Sequence, residues 1–166
     1  MHLQTKACMR RVTTRRALLA FAAFSIAVTA QAFDVTDTDG KRQRLADYRG
    51  KWVVVNFWAT WCTPCIKEIP EIAAFHSANA PERAVVLGIA LDSEDEAKTR
   101  QFAKKFGHAY PLVLEDDDTE KVFGKVKGLP TTMLYDPSGK RAWVRTGTVT
   151  RKSLEDAIAN AGRPKG

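Results

Sequence analysis

Cysteine is scarce: three residues in 166, namely Cys8, Cys62 and Cys65. That excludes a small scaffold held together by disulfides. The apolar run Ala17–Ala30 is 14 residues long, short of the roughly 20 that a membrane-spanning helix needs, and a multi-pass membrane protein is excluded. No internal repeat, low-complexity linker or nucleic-acid motif interrupts the chain, and one domain is expected from its length. Acidic residues are missing from residues 1–32, which hold Lys6, Arg10, Arg11, Arg15 and Arg16. Removing these five from the 26 Lys and Arg leaves 21 against 19 Asp and Glu, so the net charge of +7 falls to +2 over the remaining residues. A near-balanced domain argues against nucleic acid as a partner.

The first 32 residues read as an export signal: a basic start, a short apolar core and the small-x-small exit Ala30-Gln31-Ala32. Phe33 is the expected first mature residue, and an uncleaved membrane anchor is the alternative. Thr14-Arg15-Arg16-Ala17-Leu18-Leu19 also resembles a twin-arginine signal. Cys8 precedes the apolar core and is no lipid-attachment site. An exported, periplasmic bacterial protein meets an oxidising compartment in which cysteine pairs can form disulfides.

Residues 33–166 read as alternating strands and helices. Trp52–Trp58 is a continuous β-branched and aromatic run, as in a strand buried on both faces. Further strands are expected over Ala84–Leu91, Tyr110–Leu114, Thr131–Tyr135 and Trp143–Thr148, the last two around the turn Asp136-Pro137-Ser138-Gly139. Helices are expected from Cys62 to about Ala78 and from Glu94 to Phe106, the latter with Ala97, Phe102, Ala103 and Phe106 on one side. A brief helix is expected over Thr119–Phe123, and a last one over Ser153–Ala161 with Ser153 as its N-cap. The order implies an α/β fold: a mixed sheet with helices on both faces.

The chemistry lies in Cys62-Thr63-Pro64-Cys65. A cysteine pair opening a helix directly after a buried strand suits redox exchange, because the helix N-terminus favours the Cys62 thiolate and thiolates attack disulfides. Pro64 removes an N–H that the first helical turn leaves unpaired. Cys65 is near enough to close a redox-active disulfide with Cys62. Half a zinc site is the alternative, but about two more ligands would be needed, and His76 and His108 lack ligand spacing with the pair. Asp116–Asp118 has no EF-hand spacing. No metal and no organic cofactor is expected.

Val53 to Cys65, with its WCTPC end, resembles the active-site strand and turn of the thioredoxin superfamily, and more narrowly the TlpA/ResA/CcmG-type exported thiol-disulfide oxidoreductases of the AhpC/TSA-Redoxin-like branch. The stretch from Phe33 to Lys51 is similar to that branch's N-terminal hairpin. Gly128-Leu129-Pro130-Thr131-Thr132 resembles its loop with a cis proline opposite the dithiol. The resemblance implies a single-domain thioredoxin-like fold over residues 33–166 and thiol-disulfide exchange by Cys62 and Cys65. Trp61, Thr63, Pro64, Leu129 and Pro130 would support the site and dock substrate. Pro70 matches a helix-kinking proline.

Asn56 stands where thioredoxins proper carry a buried aspartate, and asparagine cannot take a proton. Glu68, three residues after Cys65, falls on nearly the same helical face, and the resemblance implies a glutamate there. Glu68 is the expected proton handler for Cys65; Lys67 and Glu71 are read as facing solvent. The resemblance further implies clients with disulfides (apocytochrome c, or proteins that assemble copper sites), a membrane thiol-transfer reductant of the DsbD/CcdA type, and action as a monomer. Two other functions share these residues. A copper-binding metallochaperone would use both thiolates for Cu(I). A peroxiredoxin would need threonine three residues before its cysteine, whereas Thr60 lies two before Cys62.

Overall fold

The structure, a computed structural model, describes residues 33–91 and 95–162. The expected signal, with Cys8, lies outside these residues, as do Asp92 and Glu94. Two short strands, β1 (Asp34–Thr36) and β2 (Arg42–Arg44), form an antiparallel hairpin. Its turn is held by Asp37, whose carboxylate accepts from the backbone N–H of Asp39 and Lys41 and from the Gln43 side chain. A 3-10 helix (Leu45–Tyr48) then leads to β3 (Trp52–Trp58).

The remaining elements are α1 (Thr63–Asn79), β4 (Ala84–Ala90), α2 (Glu96–Lys105), β5 (Leu112–Leu114), α3 (Asp117–Phe123), β6 (Thr131–Tyr135), β7 (Arg141–Thr146) and α4 (Arg151–Ala161). The main sheet runs β5-β4-β3-β6-β7, with β3, β4 and β5 parallel, β6 antiparallel to β3, and β7 antiparallel to β6. This is the mixed α/β sheet expected from the sequence. Central β3 is buried on both faces because neighbouring strands and helices cover it, which accounts for its uninterrupted apolar run.

Each face of the sheet has its own core. Phe33, Val53, Val55, Phe57, Leu87, Ile89, Phe123 and Tyr135 fill the face toward the hairpin and α3. Val54, Ile72, Phe75, Val86, Leu134 and Leu154 fill the face toward α1 and α4. A third cluster at the carboxyl ends of β3 and β4 contains Trp58, Cys62, Cys65, Ile69 and Ala90.

Several element edges differ from expectation. The N-cap of α4 is Thr150, not Ser153. Ser153 sits at N3 and returns a bond to the Thr150 N–H, so the two form a reciprocal capping box. In α2, Asp95 is the N-cap and the helix starts two residues later than expected; Ala97 is exposed because the buried stripe runs through Thr99 and Ala103, one turn apart. Tyr110 precedes β5 rather than opening it, and β7 begins at Arg141 and ends at Thr146. Pro70 lies inside α1 and leaves the Ile66 carbonyl without its usual helical donor.

Candidate active site

The carboxyl end of β3 and the start of α1 bring the two cysteines together. Cys62 is the N-cap of α1, and its sulfur accepts from the Cys65 backbone N–H at 3.3 Å. Thr63 and Pro64 occupy the first two helical positions, where proline forfeits no helical hydrogen bond. Cys62 and Cys65 are joined in a disulfide. Cys65 is wholly buried and Cys62 nearly so, while Trp61 beside them is 70% exposed. In the reduced state, positive charge at the helix N-terminus favours a thiolate at the cap position.

The Leu129-Pro130 peptide bond is cis, as the resemblance implies. Register carries it to the dithiol: Thr131 pairs with Phe57 across β3 and β6, so Pro130 stands next to the carboxyl end of β3. Half-buried Leu129 packs against the cluster that contains both cysteines. The Pro130 carbonyl accepts from the Gly147 N–H and the Thr131 hydroxyl donates to the Gly128 carbonyl, which ties the loop to the β6–β7 end of the sheet.

Glu68 is 2% exposed, one turn after Cys65 on α1. Its Oε1 accepts from Asn56 Nδ2 at 2.8 Å, and its Oε2 accepts from the Val149 backbone N–H at 2.7 Å. Asn56 Nδ2 also donates to Thr132 Oγ1 at 3.1 Å. Burial penalises the charged carboxylate and pushes the Glu68 pKa up to about 7; the bonds from Val149 and Asn56 and the positive charge of Arg145 offset part of this. A carboxyl poised near neutrality can take and release a proton under working conditions. Lys67 and Glu71 are exposed as expected, although the Glu71 carboxylate also accepts from the Arg151 N–H at the start of α4. Among the described residues no cluster of three or more His, Cys, Asp or Glu side chains is placed to hold a metal ion.

Three residues near this site were given no functional role by the sequence. Gly88 on β4 pairs in register with Asn56, and its missing side chain makes room for His108 and Tyr110. The His108 and Tyr110 rings lie 3.8 Å apart, and His108 also faces Trp58 at 5.7 Å. An isolated glycine inside an apolar strand is the one available hint of such a close approach.

The fold and its buried dithiol define a thioredoxin-fold thiol-disulfide oxidoreductase. Residues 26–144 match the AhpC/TSA family, and the chain belongs to that family. It is 35% identical over 133 residues to the thiol-disulfide oxidoreductase ResA of Geobacillus kaustophilus, covering 80% of this chain and 76% of that one. It is 37% identical over 127 residues to ResA of Bacillus subtilis, covering 76% and 70%. Among solved structures, a thiol:disulfide interchange protein of the thioredoxin family from Chlorobium tepidum superposes with a TM-score of 0.70 at 29% identity, covering 78% of this chain and 92% of the other.

Proposed function

We propose that this protein is an exported, periplasmic reductase of disulfides in client proteins, with residues 1–32 as its signal and residues 33–166 as its working domain. The arrangement that carries the reading is the dithiol at the start of α1: Cys62 caps the helix and keeps 5% exposure, Cys65 behind it is wholly buried, and Glu68 lies one turn on. Reduced Cys62 attacks a client disulfide as the thiolate, and one client sulfur leaves. Cys65 passes its proton to Glu68 and attacks Cys62 in the mixed disulfide. The second client sulfur leaves, and the enzyme holds the Cys62–Cys65 disulfide. Two electrons pass from enzyme to client, so a thiol donor must restore the dithiol; a membrane thiol-transfer protein of the DsbD/CcdA type supplies that chemistry.

Trp61, Leu129 and Pro130 form the docking surface, with Thr63 and Pro64 shaping the helix start. Apocytochrome c and copper-site assembly proteins are the proposed clients, and the enzyme acts as a monomer. Relatives named ResA and a neighbour titled as a thiol:disulfide interchange protein support the exchange chemistry. Two measurements test the reading. A midpoint potential of roughly −270 mV supports a reductase, and one of roughly −120 mV supports an oxidant. A Cys65→Ser chain, unable to resolve, should accumulate mixed disulfides with its clients; no adduct on a non-reducing gel would refute the order of attack.

A further inference from the structure

Four buried side-chain atoms among the described residues find no hydrogen-bond partner in the protein: Asn56 Oδ1, Trp58 Nε1, His108 Nε2 and the Tyr110 hydroxyl. They are not scattered. Asn56 and Trp58 are two residues apart on β3, so their side chains share one face of the sheet. Gly88 stands in register with Asn56 on the next strand. A Cβ at that glycine would lie 2.4 Å from His108 Nε2 and 3.0 Å from the Tyr110 ring. The His108 ring in turn faces Trp58. The four residues that carry the orphan atoms are therefore neighbours around Gly88, whose missing side chain admits His108 and Tyr110.

Their chemistry is complementary to water. Asn56 Oδ1 only accepts, Trp58 Nε1 only donates, and the Tyr110 hydroxyl and a neutral imidazole nitrogen can do either. Buried water is held by about three such groups and satisfies groups that would otherwise go unpaired. The region also has two ends. At one, the Asn56 side chain bonds Glu68. At the other, His108 and Tyr110 line a surface cleft of about 620 Å³ with Arg100, Lys104 and Leu112. That cleft lies at the β5 edge of the sheet, whereas the Leu129-Pro130 loop enters β6 on the opposite side of β3.

We propose that these four atoms hold internal water beside Gly88, and that this water carries the Glu68 proton to the cleft at the β5 edge. The inference rests on the proposed role of Glu68. When Cys65 gives up its proton, Glu68 becomes the neutral acid and must lose that proton before the next cycle. A docked client covers the dithiol side, so an exit at the β5 edge stays open. One proton moves from carboxyl to water and on to solvent, and no bond between heavier atoms changes. His108 and Tyr110 stay uncharged because burial holds the His108 pKa down to about 3 and raises that of the Tyr110 hydroxyl. They position the water rather than store the proton. The groups facing Glu68 are Asn56 from β3, the Val149 amide before α4, Arg145 from β7 and Tyr110 before β5; His76 of α1 packs on Tyr110.

Two measurements on the full chain test this. The Trp58 indole N–H should show a nuclear Overhauser effect to long-lived water, lost or weakened in Tyr110→Phe and Gly88→Ala. In stopped-flow reduction of insulin, with a small thiol regenerating the dithiol, Tyr110→Phe should leave the first resolution step unchanged and slow later turnovers about tenfold. Glu68→Gln should slow the first resolution step itself, and the double variant should fall no further. Absence of the water signal in the wild type overturns the proposal, as does a Tyr110→Phe chain whose later turnovers match the wild type while Glu68→Gln is slow. A Glu68→Gln chain that itself resolves normally overturns the role of Glu68, and the exit path with it, while the water signal reads the hydration site separately.

Discussion

Glu68 on α1 and Val149 ahead of α4 are 81 residues apart in the chain, yet the Val149 N–H donates to Glu68 Oε2 at 2.7 Å. With Asn56 on the other oxygen, both lobes of the carboxyl are held from elements distant in sequence. The carboxyl is thus fixed beneath the dithiol instead of sampling solvent as a helix-surface glutamate would. Its protonation state becomes a property of the tertiary structure.

The first consequence concerns pH and stability. In the disulfide form the Glu68 pKa lies near 7, above the ordinary 4.5, with burial as the leading cause. A carboxyl with a raised folded-state pKa binds its proton more tightly when folded. Its contribution is therefore complete below pH 4.5 and is lost as pH rises through 7. At about 1.4 kcal/mol per unit, the loss amounts to about 3 kcal/mol. Urea unfolding of the oxidised protein at pH 4 and pH 8 should show this fall, and Glu68→Gln should flatten it.

Catalysis should follow the opposite limb. On the proposed role, Glu68 takes the Cys65 proton as the ionised carboxylate, so the resolution rate should rise as pH passes through about 7. Glu68→Gln should lose that limb and resolve about 100-fold more slowly above it, the lower end of what a positioned general base contributes. Single-turnover kinetics between pH 5 and pH 9 would measure both.

Asn56→Asp would put a second carboxyl against Glu68 Oε1, at a residue with no solvent exposure. Two carboxylates sharing a buried site cannot both ionise cheaply, and one must keep a proton. The variant also loses the amide that donates to Glu68 and Thr132. It should be less stable than the wild type by about 3 kcal/mol at pH 8 and by about 1 kcal/mol at pH 5. Equal losses at the two pH values would contradict the shared site.

Trp61→Ala should separate docking from folding. The indole is exposed, so its removal should change stability by less than about 0.5 kcal/mol. If it forms part of the client surface, KM for a protein disulfide should rise several-fold, with little change for a small disulfide such as oxidised glutathione. Steady-state assays on the two substrates would compare these.

At α4, Thr150 rather than Ser153 caps the helix. Thr150→Ala should cost about 1 kcal/mol. Ser153→Ala should cost less, because the N–H it leaves belongs to exposed Thr150, where water can replace it. Denaturant midpoints of the two variants rank them.

Much of this protein is determined by local sequence. The β-branched run at Trp52–Trp58 demands a doubly buried strand, and Cys62-Thr63-Pro64-Cys65 carries both the helix start and the dithiol. These features depend on neighbours within a few residues, so pattern and spacing suffice to read them. Scarce cysteine had the same force: Cys62 and Cys65 are the two cysteines among the described residues, and their three-residue separation at a helix start pointed to pairing and exchange. The edges of α2, β5, β7 and α4 were less legible, since caps and strand ends are decided by a few hydrogen bonds that several adjacent residues could make.

Only the tertiary structure decided what surrounds the dithiol. From sequence, Asn56 signified a missing base; in the fold it is the donor that holds Glu68. Glu68 itself could have been a solvated helix carboxylate, and its burial depends on Val149 and β3 closing over it. Gly88, His108 and Tyr110 gave almost no signal, because a glycine that admits an imidazole from a later segment is a relation across strands. Local chemistry selects the reacting atoms, whereas their proton affinity depends on desolvation and on partners far along the chain.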